Sequence, residues 1–429
     1  MNKITVLFKE NKYFNNLSWS LAEQVIRLLA NFIISIWVIR YFGAELFGEY
    51  SYIMTLATIM FVLSRFGLND VLIKELVAAN TTLEKEQLVT NAILLKLIVS
   101  FFLFFIGVVL SFVLIDDKQI MFGFIIAIFG MFFTSFDVIE NFSQANVNIK
   151  PIAIAKNIQL FFSVILKFLF IYFEFEMLYF VLLFLLETVF LSMIYILIYI
   201  KLGHKPLLNF KAYSRIKELI KSSWPIAIAN LAIIGYVKTD QIMIFNWMGA
   251  EDAGIYSAAT KLSEAWYFIP TIIATTLFTK VLRSKEISVQ MYEESLSKLI
   301  RLELVVSITF ATIITIIGAF LVEYAFGSAF EQSAMILKIH IWAGVFISLN
   351  RVSTKWFITE GFERKFMNKC ILGLLLNVIF NTISIPIYGT LGAAVSTLLS
   401  LFFVEFIYYL NRPYTKMYFT ALKKAIWLR

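Results

Sequence analysis

The sequence is poor in charged residues, cysteine, histidine and proline. Only 15% of its 429 residues are charged, whereas a soluble domain carries about 25%, so a water-exposed surface of ordinary polarity is excluded. A single cysteine, Cys370, excludes an intrachain disulfide, and two histidines argue against a histidine-ligated metal site. Six prolines in the whole chain leave long stretches that can form uninterrupted helices.

In place of charge, the sequence has side chains that partition into hydrocarbon. The hydrophobic set makes up 60% of the chain, and 45 of these residues are phenylalanine. Such a composition predicts an integral membrane protein. The net charge of +8 comes from lysines and arginines that lie between apolar runs rather than on one face. This distribution favours membrane topology over nucleic-acid binding as the cause of the charge.

Twelve apolar runs are long enough to cross a bilayer as helices. We therefore predict an all-α integral membrane protein with twelve transmembrane helices. Because the connections between the runs are short, no extramembrane catalytic domain is expected, and the chain is predicted to be a transporter rather than an enzyme. The runs lie at about 15–40, 46–67, 88–115, 119–147, 151–173, 177–200, 223–248, 253–280, 299–323, 332–360, 366–387 and 391–411.

The distribution of lysine and arginine orients these helices. If the N-terminus is cytoplasmic, the inner connections hold nearly all of the connecting basic residues, and the outer connections hold Lys118 alone. Because positively charged connections are retained on the cytoplasmic side, both termini are predicted to be cytoplasmic. The polar segment before residue 15 leads into an apolar stretch without a cleavage pattern, which indicates a retained first helix and not a signal peptide.

The longest inner connection divides the chain into two halves of six helices. We predict an N-terminal lobe over 1–200, a basic cytoplasmic linker over 201–222 and a C-terminal lobe over 223–429 with a short basic tail. An internal repeat supports this division, because residues 43–51 and 249–257 are identical at six of nine positions. Six helices separate the copies, so both copies have the same orientation. The lobes are therefore predicted to be related by a pseudo-two-fold axis along the membrane normal.

Short motifs occur mostly at predicted helix ends, namely Ser222–Pro225, Gly249–Ser257, Phe66–Leu68 and Tyr388–Ala394, and a further one, Lys238–Asp240, lies in the middle of the run 223–248. They resemble the Wzx-type polysaccharide flippases of the MOP superfamily. Twelve helices, inner termini and parallel halves extend this resemblance over the full length. The motif residues also have structural roles, since serine before Pro225 suits a helix start and the glycines suit tight outer turns.

The resemblance implies a MOP-type transporter fold in the bacterial inner membrane. It implies a flippase that moves an undecaprenyl-diphosphate-linked oligosaccharide, such as an O-antigen or related surface polysaccharide repeat unit, from the cytoplasmic to the outer leaflet by alternating access. It also implies antiport with H⁺ or Na⁺ and no other cofactor. Membrane lipids, a polysaccharide polymerase and a chain-length regulator are the partners expected of a monomeric transporter of this kind. The absence of a GxxxxGK phosphate-binding loop agrees with coupling to an ion gradient rather than ATP.

Ionisable side chains within the predicted helices are candidates for the site, because burying each one costs about 2.5–3.5 kcal/mol. Basic groups that converge on a water-accessible cavity would hold a diphosphate by charge-assisted hydrogen bonds. The candidates for this cationic cavity are Arg27, Arg65, Lys238, Lys261, Arg351 and Lys355. Carboxylates beside cations can change protonation or bind Na⁺, and the candidates for ion coupling are Glu23, Asp240, Glu264 and Glu187.

The same charges also have a structural interpretation. Glu23 with Arg27, and Lys261 with Glu264, share a helix face and can form ion pairs that seal helix contacts. Pro270 removes a backbone hydrogen bond in the eighth predicted helix, which predicts a bend there. Basic side chains near helix ends can extend to the inner membrane interface, and these are Arg65, Lys96, Lys156 and Lys355.

Two competing functions stay open. A multidrug and toxin extrusion antiporter has the same fold, but a cavity for organic cations should be acidic or aromatic. Here the deep basic residues at least equal the acids. A membrane-embedded glycosyl polymerase needs a sizeable outer loop, and every outer connection is short. An anionic, lipid-linked cargo is therefore favoured.

Overall fold

The computed structural model describes residues 3–205, 213–410 and 412–427, which form a helical membrane protein. The described residues include sixteen α-helices. These are α1 (Lys3–Arg65), α2 (Leu68–Ala78), α3 (Thr82–Leu114), α4 (Lys118–Phe129), α5 (Met131–Thr134), α6 (Val138–Ala145), α7 (Lys150–Tyr172), α8 (Met177–Lys201), α9 (Tyr213–Met248), α10 (Ala250–Glu264), α11 (Phe268–Ile287), α12 (Val289–Phe326), α13 (Ser333–His340), α14 (Ala343–Thr359), α15 (Glu363–Glu405) and α16 (Lys416–Ile426).

Ten helical stretches among the described residues are long and apolar enough to cross a membrane. Glu23–Arg65 has 43 residues and Glu363–Tyr409 has 47, which corresponds to about 65–70 Å of helix, twice the thickness of a hydrocarbon core. Each stretch contains a glycine with a positive φ, Gly43 at 70° and Gly389 at 61°. Glycine adopts this backbone without a steric penalty, so each glycine divides its stretch into two crossings. The fold is therefore the predicted all-α arrangement of twelve transmembrane helices.

The bend predicted near Pro270 is confirmed, and it lies just before the proline. α10 ends at Glu264 and α11 begins at Phe268. Between them, the amide of Tyr267 bonds to the carbonyl of Glu264, only three residues back, at 3.1 Å. A proline ring clashes with the carbonyl four positions earlier, here that of Trp266, so the regular helix cannot run through this point.

Two short helices, α2 and α16, lie outside the predicted crossings. α2 buries Leu68, Leu72 and Leu76, which recur every four residues, and exposes Lys74. α16 likewise buries one face, which includes Tyr418, and its lysines lie outside that face. This periodicity is the signal of an amphipathic helix, but each segment is too short and too polar to register as a membrane crossing.

The chain packs into two compact units. Unit 1 comprises Met1–Tyr41 and Ile53–Asn230, and unit 2 comprises Phe42–Tyr52 and Leu231–Arg429. The short segment Phe42–Tyr52, from the first half of the sequence, therefore packs with the second half. Part of the predicted linker, residues 206–212, lies outside the described residues. The lobe boundaries drawn from the sequence stay a prediction.

Each unit has an apolar core between its helices. In unit 1, α2, α3 and α6 meet around Leu72, Leu88 and Ile139, which are all buried. In unit 2, α9, α14 and α15 meet around the buried residues Tyr236 and Leu401. These cores fix the helices that carry the polar groups described below.

Within unit 2, the two copies of the repeat pack directly on each other through glycine. A Cβ atom on Gly48 would lie 1.8 Å from the carbonyl oxygen of Ala250, and a Cβ atom on Gly254 would lie 1.8 Å from the carbonyl oxygen of Ala44. The two contacts are equivalent, because Gly48 corresponds to Gly254 and Ala44 to Ala250 in the repeat. These two glycines therefore permit a backbone-to-backbone helix contact, while other glycines make the turns.

We expect Gly254→Ala to destabilise unit 2 by about 1–3 kcal/mol, the usual cost of overpacking, because the added methyl group would meet backbone that cannot move aside. Gly318→Ala is the matched control, since its methyl group would meet only the Leu337 side chain at 3.4 Å. The control should be neutral or slightly stabilising, because alanine favours a helix over glycine. Thermal unfolding of the purified variants in detergent compares them, and equal melting temperatures would contradict the close contact.

Candidate functional site

A polar cavity of about 450 Å³ lies within unit 1, and we call it the unit 1 cavity. Helices α1, α2, α6, α7 and α8 supply its walls. Cationic and amide side chains both line it, namely Arg27, Arg65, Lys156, Asn69, Asn141 and Gln144. Such a lining can donate hydrogen bonds to an anionic ligand from several directions.

Asp137, immediately before α6, holds two cations. The Nζ atom of Lys96 lies 2.5 Å from its Oδ1 atom, and the Nε atom of Arg65 lies 3.6 Å from its Oδ2 atom. Lys96 also donates to the Oδ1 atom of Asn69 at 2.8 Å. The Lys96 side chain is only 2% exposed, so the interpretation that it extends to the membrane interface is wrong. Burial strengthens its attraction to Asp137 and holds it inside the unit.

Glu140, one turn after Asp137, organises a second group. The Nζ atom of Lys156 lies 2.5 Å from the Oε1 atom of Glu140. The Tyr195 hydroxyl donates to the Oε2 atom at 3.2 Å, and the Gln144 amide donates to the Oε1 atom at 3.2 Å. Lys156 therefore points to an inward carboxylate and not to the interface, which corrects the alternative interpretation for this residue as well.

The predicted ion pair between Glu23 and Arg27 is confirmed on α1. The Glu23 side chain is 6% exposed and the Arg27 side chain is 28% exposed. Arg27 reaches the unit 1 cavity from this anchored position. The spacing of four residues, with glutamate on the N-terminal side, is the favourable arrangement for such a pair.

The unit 1 charges do not cancel. Four cations face three carboxylates in this group, which leaves one positive charge in excess. The cations are Arg27, Arg65, Lys96 and Lys156, and the carboxylates are Glu23, Asp137 and Glu140. An excess of this sign favours an anionic ligand over a cationic one.

The other predicted cavity cations belong to unit 2. Lys238 pairs with Glu264 at 3.5 Å, whereas we expected Lys261 as the partner. The residues Lys261 and Arg351 are exposed, and Lys355 is half-buried. Of the six predicted cations, Arg27 and Arg65 line the unit 1 cavity.

Asp240 of α9 is buried in unit 2, with 1% of the residue exposed. Its contacts are hydroxyl and amide donors rather than a cation. The Tyr256 hydroxyl and the Thr397 hydroxyl both donate to its Oδ2 atom, the latter at 3.2 Å. The backbone amide of Gln241 donates to its Oδ1 atom at 2.8 Å. Lys238 is only two residues away in sequence but pairs with Glu264 instead.

Two asparagines of α15 extend this group, which we call the Asp240 cluster (Asp240, Tyr256, Asn377, Asn381 and Thr397). The Asn377 amide donates to the Thr397 hydroxyl at 3.3 Å, and the Asn381 amide donates to the Asn377 carbonyl at 3.0 Å. The Oδ1 atom of Asn381 is buried without a hydrogen-bond partner. Carboxylate, amide and hydroxyl oxygens are the ligands preferred by small hard cations, so the residues present fit a Na⁺ ion or a proton.

Two further ion pairs lie within the two units, one in each. Glu187 of α8 pairs with Lys167 of α7 at 2.9 Å and accepts from the Ser163 hydroxyl at 2.5 Å. Lys369 lies in α15. It is wholly buried against Glu405 at 2.7 Å. A buried lysine with a complete set of partners behaves as part of the core.

Several site residues are absent from the sequence prediction. Asp137 and Glu140 organise the unit 1 cavity, and Asn377 and Asn381 complete the Asp240 cluster. The available signal was spacing, because each pair is three or four residues apart within an apolar run and so shares one helix face.

Solved structures share the fold over nearly the whole chain. An inward-facing multidrug resistance MATE family transporter of the MOP superfamily matches 93% of this chain and 96% of its own, with a TM-score of 0.72 at 16% identity. The lipid II flippase MurJ, in an inward closed conformation, matches 96% of this chain and 91% of its own, with a TM-score of 0.71 at 14% identity. The likeness shows a MOP-type transporter fold.

Comparison with known sequences identifies the family of the chain. An uncharacterised membrane protein of Methanocaldococcus jannaschii is 22% identical over 187 residues, and the chain spans 43% of that relative's length in the match. A family model described as polysaccharide biosynthesis protein matches residues 14–278, well over half of the chain. This multi-pass membrane protein with a transporter fold therefore belongs to the polysaccharide biosynthesis protein family.

Proposed function

We propose that the protein is a flippase that translocates an undecaprenyl-diphosphate-linked oligosaccharide from the cytoplasmic to the outer leaflet of the bacterial inner membrane. The cargo would be an O-antigen or related surface polysaccharide repeat unit, and the driving force an H⁺ or Na⁺ gradient. Both termini would be cytoplasmic. Membership of a polysaccharide biosynthesis family and a MOP-type fold support this proposal.

The excess positive charge of the unit 1 cavity carries the proposal. A lipid diphosphate needs several cations in a wet pocket, while its prenyl tail stays in lipid. The Nε atom of Arg65 lies 3.6 Å from Asp137, a long ion pair, and the Arg65 side chain is 51% exposed. The terminal guanidinium nitrogens can therefore donate in a fork to phosphate oxygens. Asn69 and Asn141 add neutral donors beside it.

The carboxylates of the unit 1 cavity hold its cations in fixed positions before the cargo binds. Without Asp137 and Glu140, the clustered cations would repel one another and lose their fixed positions. With them, Lys96 and Lys156 are held by short ion pairs. A pre-organised set of donors lowers the ordering cost of binding.

The Asp240 cluster is the proposed ion-coupling site. Glu23, Glu187 and Glu264 are each paired with a cation. Asp240 instead has hydroxyl and amide partners, so a Na⁺ ion or a proton can supply the missing positive charge. A cation that binds one conformation more tightly than the other shifts the balance between them.

Multidrug extrusion is the second candidate, since one transporter with the same fold is a multidrug resistance protein. An organic cation would meet net repulsion in the unit 1 cavity. The charge balance therefore ranks this function below the flippase.

We expect Arg65→Gln to reduce surface polysaccharide export at least tenfold, because about 1.4 kcal/mol of lost phosphate binding is a factor of ten. Lys74→Gln is the matched control, since Lys74 is exposed on α2 and does not line the cavity. Export is measured as cell-surface glycan in the native host, with membrane abundance checked by immunoblot. Full export by an abundant Arg65→Gln protein would remove Arg65 from cargo binding.

Deletion of the gene separates the two candidate functions. Normal surface glycan with altered sensitivity to dyes after the deletion would favour multidrug extrusion.

A second prediction concerns coupling. A cation that binds the folded protein stabilises it by about 2.7 kcal/mol at one hundred times its dissociation constant. We expect purified wild-type protein to melt at a higher temperature in Na⁺ than in choline, or to respond to pH alone if H⁺ is the coupling ion. Asp240→Asn should abolish a Na⁺ response and weaken a pH response, while Glu187→Gln should keep it. An unchanged response in Asp240→Asn would place the coupling ion elsewhere.

A further inference from the structure

Glu303 of α12 is a buried carboxyl group with no paired cation among the described residues. It has 0% exposure, and in this part of the chain neither carboxyl oxygen accepts a hydrogen bond of good geometry. Other buried carboxylates of unit 2 are satisfied. Glu405 accepts from Lys369 and Asn350, and Asp240 accepts from hydroxyl groups. A negative charge on Glu303 would therefore not be neutralised by a paired cation.

The groups that face Glu303 are neutral. Helices α11, α14 and α16 pack against α12. α11 presents the backbone amide of Ala274 to Glu303, and α16 brings the Tyr418 hydroxyl into its electrostatic reach. The Tyr418 hydroxyl donates to the carbonyl of Leu349 on α14 at 3.3 Å, so it does not donate to Glu303.

The charged groups on the same helices lie elsewhere. On α12 itself, Arg301 donates to the carbonyls of Lys424 and Ala425 on α16, and Glu293 pairs with Lys424. On α13, His340 bonds to Ser263, and Lys338 is half-buried, as is Lys355 on α14. The remaining cations of α11, α14 and α16 are exposed, namely Lys280, Arg283, Lys285, Arg351, Lys416 and Lys423.

An ionised carboxylate in this position would lose its hydration and gain no paired cation among the described residues, with the backbone amide of Ala274 as a single neutral donor beside it. A neutral carboxylic acid loses far less, so burial strongly favours the protonated form. We propose that Glu303 is a proton-binding site of unit 2, neutral while α16 covers it and able to ionise only when α16 detaches.

α16 is the element that can admit water to Glu303. It is a helix of only 11 residues, and its buried face rests on α12. Short amphipathic helices with few buried contacts open at lower free energy than the helices of a core. Its polar tethers to α12 come from Arg301 at 2.8 Å, two residues before Glu303, and from Glu293 at 2.6 Å, ten residues before it. Release of α16 and ionisation of Glu303 are thus coupled.

The site is distinct from the Asp240 cluster, because none of that cluster's residues contacts Glu303. It also goes beyond the proposed cargo, since a proton-binding group on α12 requires no lipid-linked substrate. If both proposals hold, unit 2 has one cation site that can couple transport and one proton site that controls the attachment of its last helix.

Infrared spectroscopy tests the protonation state directly. We expect the full-length protein in lipid at neutral pH to show a protonated-carboxyl band that Glu303→Gln removes and that the matched variant Glu323→Gln, exposed on the same helix, retains. Carbon-13 labelling of glutamate should shift this band, which separates it from any aspartic acid and tests the wild-type protein without mutation. Absence of a shifted band, or its retention in Glu303→Gln, would overturn the proposal.

Hydrogen exchange tests the link to α16. At alkaline pH, the amides of α16 should exchange several-fold faster in wild-type protein than in Glu303→Gln at the same pH, and the two should agree at acidic pH. Comparison at matched pH removes the intrinsic pH dependence of exchange. Flippase activity is not measured here, so failure of the cargo proposal leaves this result unaffected. Identical α16 exchange at every pH would refute the coupling between Glu303 and α16.

Discussion

Electrostatic compensation inside apolar helices is the constraint on which both units depend. A charge placed there without a partner loses hydration and gains nothing in return. Unit 1 meets the constraint with Asp137, which neutralises Lys96, and unit 2 meets it with the fully buried pair of Lys369 and Glu405. The same requirement shapes function. Around Arg65 the positive charge is only partly neutralised, so a bound anion can complete the neutralisation. At Glu303 no paired cation in the described part of the chain neutralises the carboxylate, so a bound proton can.

Much of the fold follows from the sequence because hydrocarbon imposes a length and a composition on every crossing. The twelve apolar runs and the bend near Pro270 could be identified in this way. The amphipathic helices α2 and α16 could not, since their apolar faces are narrow and their segments are short. Nor could the sequence show that Phe42–Tyr52 packs with unit 2. That assignment depends on tertiary contacts, which periodicity within one segment does not encode.

The site was predictable only where its interactions are local. The pair of Glu23 and Arg27 is separated by four residues, and helix geometry alone brings the two side chains together. Lys96 and Asp137 are 41 residues apart and meet only after three helices have packed. Helix geometry made Lys261 a reasonable partner for Glu264. Packing between α9 and α10 selected Lys238, because tertiary contacts override local spacing.

The reciprocal glycine contact has a consequence for how the two halves of the gene can diverge. Each copy of the repeat is the template against which the other copy fits, so a change in one copy is tested at once by the other. Ala44 and Gly48 match Ala250 and Gly254 in identity, whereas Leu46 corresponds to Asp252 in the other copy. Identity at these contact positions is what the close backbone fit within one unit requires, whatever ligands the two halves handle.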